Sequence, residues 1–404
     1  MLVAGCHVEN DDNDTYSYPA EWESHDAVWI SFFGGPTDLP VYEIARSIAQ
    51  YTPIKCVVPR YDYTNNVSHQ LAYEVRARLT ALGVDRDRLS VITTDSLVQT
   101  RDKGPIFVKN AAGKLKIVDF KWNNYGDHDT SLGPDSYPFD SLMAAKLQIP
   151  TLRSDLVMEG GAMEVNGQGT LLQVEAVTLQ RNPGRSREAI EEELKTVLGQ
   201  KKVIWLKEGP AEDPHGLTLI TENYLGSGVG GHVDEFARFV NANTILLAFP
   251  DSTEAANNPV KRITYERMKV NYDLLRQATD QDGNPFEIIK VPVPDAPYLS
   301  LTADTTHPFV QTISKENPQI QHGDTLYWVP ASSYLNFFVT NNMVLVPAYW
   351  QAGLPLSIKE EDEQFQAIMA TYFPERAIIP INALALNDTA GGIHCWTQQQ
   401  PASP

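Results

Sequence analysis

Short apolar runs rich in β-branched residues alternate with helix-period stretches along nearly all of this chain, and no other feature narrows its fold as much. The runs include Ala27–Phe33, Ile54–Val58, Leu89–Thr93, Ile106–Val108, Leu115–Phe120 and Thr170–Val174. They continue through Val203–Leu206, Phe236–Val240, Thr244–Phe249, Phe286–Val291, Leu335–Val339, Met343–Pro347 and Ala377–Pro380. Their length and residue types predict strands. Helical spacing predicts helices over Val41–Tyr51, His69–Leu82, Phe139–Leu147, Arg187–Leu198, Val260–Thr279 and Glu360–Phe373, with Ser186 capping one of them. The order that recurs is two strands, a helix and a further strand. Units of roughly 60–80 residues in this order predict an internally repeated α/β fold.

At 404 residues and 42% hydrophobic, the chain can bury a large core. No Gly/Ser-rich linker divides it, so the expectation is a flexible segment over residues 1–15 and one domain over 16–404. A plain doubly wound sheet is the rival architecture, but the GxxxxGK[ST] phosphate loop does not occur. The formal charge of −19 disfavours nucleic acid, whose phosphates need a basic face, and suits a cationic small molecule.

Three cysteines, Cys6, Cys56 and Cys395, form no CxxC pair, which excludes a cysteine-rich zinc site and a disulfide framework. Cys56 lies in a predicted strand and reads as a small buried hydrophobe. Leu2–Cys6, followed by the acidic run Glu9–Asp14, looks like the end of a lipoprotein signal. Its apolar part falls short of the ~7–15 residues of a signal core. The expectation is therefore a cytoplasmic protein, or a lipid-anchored or periplasmic one if a signal lies upstream. No stretch reaches the ~18 apolar residues of a membrane helix.

Cys395 follows Gly391, Gly392 and His394, a setting that suits a nucleophilic thiol. Three other segments carry chemistry. Thr100–Pro105 is a polar turn before a strand and contains Asp102. Glu159-Gly160-Gly161 precedes another strand. Gly228–Asp234 is a glycine-rich loop that enters a strand. Residues two apart on a strand share a face, so His232 and Asp234 are expected on one wall. A Cys–His pair by itself suggests acyl transfer. Several carboxylates instead suit a planar cation, because guanidinium presents its donors in a rigid fork that carboxylates match.

These residues resemble the guanidine-modifying enzymes, and within them the agmatine deiminases of the bacterial peptidylarginine deiminase family. The similarity runs from Pro19–His25 to Pro401. It passes through Thr100–Pro105, Val118–Asn123, Glu159–Gly161, Gly231–Phe239, Ser333–Phe337 and Gly391–Pro401. The resemblance implies a five-fold pseudosymmetric α/β propeller of the pentein type, with ββαβ units around a central site. It implies Cys395 as nucleophile, His232 as general acid and base, Asp102 and Asp234 as clamps on the guanidinium, and Glu159 supporting His232. Trp122, Asn123 and Asn336 match pocket-lining positions. No metal or organic cofactor is implied, and a homodimer is the family expectation.

The implied reaction is hydrolysis of agmatine to N-carbamoylputrescine and ammonia through a cysteine thiouronium. Peptidylarginine deiminases of this family carry two arginines where this chain has Asn123-Asn124-Tyr125, which favours agmatine over a substrate with a carboxylate tail. Asn124-Tyr125 and Ala162-Met163-Glu164 depart from the family pattern and are expected at the substrate-tail pocket. A deiminase of peptidyl or free arginine, or a catalytically silent binding protein of the same fold, remain the alternatives.

Overall fold

The computed structural model describes residues 15–35, 38–59, 70–94, 99–126, 139–388 and 391–404. The N-terminal segment with Cys6 lies outside them. The fold is mixed α/β, with several small sheets flanked by helices.

Five sheets among the described residues share one pattern, an antiparallel pair followed, across a helical connection, by a parallel strand. Ile106–Asn110 and Leu115–Lys121 form a hairpin, and Thr151–Val157 joins in parallel after the helix Phe139–Leu147. Met163–Val165, Thr170–Val174 and Lys202–Leu206 repeat this around the helices Glu175–Arg181 and Arg187–Leu198. Ala237–Asn241, Thr244–Ala248 and Glu287–Val291 do so around Ser252–Asn257 and Pro259–Gln277. Phe338–Thr340, Met343–Ala348 and Ala377–Asn382 do so around Leu356–Tyr372. The fifth joins the chain ends. The C-terminal strand Thr397–Pro401 pairs antiparallel with His25–Ser31, which pairs in parallel with Ile54–Pro59 after the helix Asp38–Ala49. A further sheet, of Thr218–Thr221, Tyr224–Gly226, Leu299–Thr302 and Thr325–Trp328, takes two strands before and two after the unit Ala237–Val291.

Burial holds the units together. One core joins Val118, Leu171, Phe236, Phe239, Leu246, Tyr334 and Phe337 across neighbouring sheets. Another joins Ile30, Ile48, Cys56 and Leu345 to Cys395 and Trp396. Each fully buried side chain of this size contributes about 1.5–3 kcal/mol. Cys56 is the buried strand thiol the sequence predicts, and burial pushes its thiol pKa up. Ser186 caps its helix through the Ala189 N–H at 3.2 Å. Among the described residues, no helix is long and apolar enough to cross a membrane.

Two expectations change, and one strand appears where no apolar run marks it. The expected strand Leu335–Val339 is realised as Phe338–Thr340, and Asn336 lies on the turn ahead of it. Thr397–Pro401 is a strand although its sequence is Thr-Gln-Gln-Gln-Pro. His232 and Asp234 do not lie on a strand. Residues Val233–Glu235 make a 3-10 turn with His232 at its N-cap, and the strand begins only at Ala237. The glycines before His232 explain this. Gly230 and Gly231 have φ of 99° and 92°, which β-strand pairing does not accept.

Candidate active site

The candidate residues sit on tight turns, each immediately ahead of the first strand of a unit. Asp102 lies in the one-turn helix Thr100–Lys103, before Ile106–Asn110. Glu159 caps the 3-10 turn Gly160–Ala162, before Met163–Val165. His232 and Asp234 lie at the turn before Ala237–Asn241, and Asn336 just before Phe338–Thr340. Cys395 lies in the 3-10 turn His394–Trp396, before Thr397–Pro401. A turn at the mouth of a sheet can aim a side chain inward while the following strand fixes its position by pairing.

These turns converge. A Cβ placed on Gly161 would lie 2.7 Å from His232 Nδ1, 2.8 Å from Asp102 Oδ1 and 3.0 Å from Asp234 Oδ2. Gly161 therefore sits where three functional side chains meet, and its lack of a side chain keeps that space open. The Gly161 N–H donates to Asp102 Oδ1 at 3.0 Å, and the Tyr125 hydroxyl donates to Asp102 Oδ2 at 2.8 Å. His232 Nδ1 is 3.6 Å from Asp102 Oδ1, and Nε2 is 3.4 Å from Glu159 Oε2. Arg181 Nε donates to the other oxygen of Glu159 at 2.8 Å. Asn336 Nδ2 lies 3.3 Å from Cys395 Sγ, while its Oδ1 accepts the His394 N–H at 2.8 Å and the Cys395 N–H at 3.3 Å. Asp234 Oδ2 and Glu235 Oε1 stand 3.9 Å and 3.7 Å from the sulfur.

The electrostatics follow from burial and from this crowd of carboxylates. Burial opposes charge on His232, but Asp102, Glu159 and Asp234 outweigh it and raise its pKa to about 9. Burial, reinforced by the negative charges of Asp234, Glu235 and Asp102, pushes the Cys395 thiol well above its ordinary range. Burial also raises Asp102, and it raises Glu235 strongly, with Asp234 and Asp213 adding to the effect. At neutral pH the unliganded site thus holds a charged imidazolium and a neutral thiol. Asp234 Oδ1, Glu159 Oε2 and both His232 ring nitrogens are buried with no hydrogen-bond partner among the described residues. Unpaired buried polar atoms are costly unless a ligand satisfies them.

Residues 17–401 match the family model of the Porphyromonas-type peptidyl-arginine deiminases. The chain belongs to that family. An agmatine deiminase of Stutzerimonas stutzeri is 30% identical over 404 residues, 96% of each chain. The solved agmatine deiminase of Enterococcus faecalis is 27% identical, with a TM-score of 0.73 over 96% of each chain. The substrate-bound C. jejuni agmatine deiminase shares the fold at a TM-score of 0.69 and 20% identity, covering 96% of this chain and 97% of that one.

For this deiminase-family chain, the structure brings Cys395, His232, Asp102, Asp234, Glu159 and Asn336 into one buried cluster. Trp122 reaches it indirectly, packing edge-on against Tyr125 with ring centroids 4.8 Å apart. Asn123 is turned to the backbone instead. It donates to Arg181 O at 3.2 Å and accepts the Gly126 N–H at 2.8 Å. Glu164, expected at the tail pocket, is tied to Arg238 Nε at 2.8 Å and to the Phe239 N–H at 2.9 Å.

The sequence reading missed several partners. Tyr125 bonds Asp102 from two consecutive left-handed residues, Asn124 and Tyr125, with φ of 53° and 59°. Glu235 neighbours the thiol, and Arg181 holds Glu159. Asp213 accepts the N–H groups of Val229, Gly231 and His232 at 2.7, 2.8 and 3.1 Å, which locks the glycine-rich loop. Gly226–Gly231 has the spacing of a dinucleotide-binding loop, yet Asp213 already takes three of the local N–H groups a phosphate would use. Asp234, Glu235 and Cys395 offer ligand atoms within 4.8 Å of one another, a set that could hold a cation, metallic or organic.

Proposed function

We propose that this chain hydrolyses agmatine to N-carbamoylputrescine and ammonia, with Cys395 as the covalent nucleophile. The observation that carries the reading is the convergence of Asp102, Asp234 and His232 on the open space at Gly161, beside the Cys395 thiol. A planar cation with several N–H donors suits that space, because the carboxylates of Asp102 and Asp234 border it, and Asp234 Oδ1 and Glu159 Oε2 are buried without a partner among the described residues. The curated relative and the solved structure described above bear the name agmatine deiminase.

The residues divide the chemistry as follows. Binding of the guanidinium brings a positive charge to the sulfur and favours loss of the thiol proton to solvent. Asp102 and Asp234 hold the guanidinium nitrogens, and the thiolate attacks the central carbon to form a C–S bond. Charged His232 gives its proton to the departing nitrogen, which leaves as ammonia, and a thiouronium remains on Cys395. Neutral His232 then takes a proton from water, whose oxygen attacks the same carbon. The C–S bond breaks, and a ureido product leaves. Glu159, held by Arg181, keeps His232 oriented and charged through the first step.

The substrate tail is read from what the arginines do. Arg101, Arg181 and Arg238 are fully buried, and each is bound to a carboxylate, which leaves none of these three to receive a substrate carboxylate. This favours the amine tail of agmatine over free arginine. The same reading takes the five hairpin–helix–strand units as the blades of one propeller domain over residues 16–404. The turns that lead into the blades then meet at its axis, which accounts for their shared position ahead of each first strand.

Ammonia release from agmatine, arginine and a blocked arginyl peptide tests the reading. Agmatine is expected to be the fastest of the three, with Cys395→Ala inactive on all. A preference for arginine would overturn the substrate, and turnover by the alanine variant would overturn the nucleophile.

A further inference from the structure

The reaction described above leaves one buried group at the site without a role. His394 Nδ1 is 2.7 Å from Asp234 Oδ2, and its Nε2 is 2.5 Å from Glu21 Oε1. The ring itself is fully buried. Both neighbours are carboxylates, which accept hydrogen bonds when ionised. Burial works to raise Glu21, but His394, Arg238 and Arg101 hold it well below the ordinary carboxylate range. Burial likewise opposes charge on Asp234, and His394 leads the groups that hold it low. A ring held between two carboxylate oxygens is placed to orient both of them.

Glu21 is itself anchored. Arg238 reaches its Oε2 at 2.6 Å, and Arg101 stands 3.3 Å from Oε1. Arg238 is fixed in turn by Glu164 at 2.8 Å and by the carbonyls of Leu335 and Phe337 at 3.0 Å each. Arg101 donates to His394 O at 3.3 Å and to Gln399 at 2.7 Å. A chain of charged contacts thus runs from the N-terminal turn near Pro19, through Glu21 and His394, to Asp234. At its far end one oxygen of Asp234 is held, and Oδ1 is buried without a partner.

We propose that His394 is a positioning residue of the reaction. Its Nδ1 pins Asp234 Oδ2, the oxygen that borders the Gly161 space and the sulfur, so the carboxylate is held in place to meet the guanidinium, and Glu21 holds the ring from behind. The segment around Glu21 therefore belongs to the catalytic framework, although it is far from Cys395 in sequence. The inference rests on the guanidine reading of the site. Without His394, Asp234 Oδ2 would lose its nearest partner and keep the Asn336 amide at 3.3 Å, with the sulfur at 3.9 Å.

Two replacements of the ring separate positioning from a general structural role. The amide nitrogen of asparagine can stand near the place of Nδ1, and that of glutamine near the place of Nε2. His394→Asn can therefore still donate to Asp234, whereas His394→Gln can donate to Glu21 but not to Asp234. The readout is the ratio of Cys395 alkylation rates by cationic chloroacetamidine and by its neutral isostere chloroacetamide, with thermal melting to establish folding. Wild type is expected to prefer the cation. His394→Gln is expected to lose about tenfold or more of that preference, and His394→Asn to keep most of it. Glu21→Gln is expected to fall between them. With agmatine, the loss in kcat/KM is expected to appear more in KM than in kcat. Equal ratios for the asparagine and glutamine variants, or a wild-type ratio in folded His394→Gln or Glu21→Gln, would overturn the proposal. The ratio needs no turnover, so a wild-type chain that releases no ammonia would sink the deiminase reading and leave this test standing.

Discussion

His232 is the residue whose charge departs most usefully from its burial. A fully buried imidazole is ordinarily neutral, yet three carboxylates raise this one to about 9. It therefore holds the proton that a leaving nitrogen needs at neutral pH. The same shift makes a stability prediction. A folded pKa raised above the unfolded value of about 6.5 stabilises fully below pH 6.5, and that contribution is lost as pH rises through about 9. Urea unfolding across that window is expected to show wild type losing stability faster than His232→Gln, by at most about 1.4 kcal/mol per pH unit. Thiol ionisation in the unfolded state is common to both chains and cancels in the comparison. Parallel curves would mean that His232 is not held charged. At this scale the sequence was readable where glycines or a polar turn flank a reactive side chain, as at Cys395, Asp102 and Glu159. It was unreadable at Glu21, Arg181 and Asp213, whose importance comes from partners distant in the chain, and Tyr125, expected at the substrate tail, bonds Asp102 instead.

Among elements, the decisive ones are the single turns ahead of the strands rather than the strands. The loop before Ala237–Asn241 shows why the sequence misled there. Period-two reasoning places His232 and Asp234 on one face of a strand, and left-handed glycines followed by a 3-10 turn bring them to the same site by another route. The strand Thr397–Pro401 was invisible for the opposite reason. Its glutamines are buried and bonded to distant groups: Gln398 to Pro105 O at 3.1 Å, Gln399 to Arg101 at 2.7 Å and Gln400 to Lys55 at 2.6 Å. No apolar alternation marks such a strand. Helices were the more legible elements, because their apolar stripe is local; Arg187–Leu198 appears with the predicted bounds. The turn at Gly161 makes a sharp test. Gly161→Ala puts a Cβ within 3.0 Å of His232, Asp102 and Asp234. Its kcat/KM on agmatine is expected to drop at least about 100-fold, the scale of a small misplacement of catalytic groups. Near-wild-type activity would show that the three side chains do not need that space.

Across the whole molecule, one repeated unit supplies both stability and chemistry, and the repeat was the most legible property of the chain. Its closure was not, since the fifth sheet is completed by the last strand meeting nearly the first. Thr397–Pro401 pairs with His25–Ser31 and buries every one of its residues. A chain ended at Trp396 keeps all the proposed catalytic residues but loses that strand. It is expected to lose its cooperative thermal transition, and a wild-type melting curve would show that the sheet stands without it. The central claim is that these turns assemble a thiol nucleophile against a guanidinium carbon. Acid quench of the wild-type protein during turnover of agmatine, followed by peptide mass mapping, tests it most directly. The account predicts a transient adduct on Cys395 with the mass of agmatine less ammonia, which disappears once substrate is exhausted. Steady ammonia release with Cys395 unmodified at every quench time, or with the adduct on another residue, would contradict it.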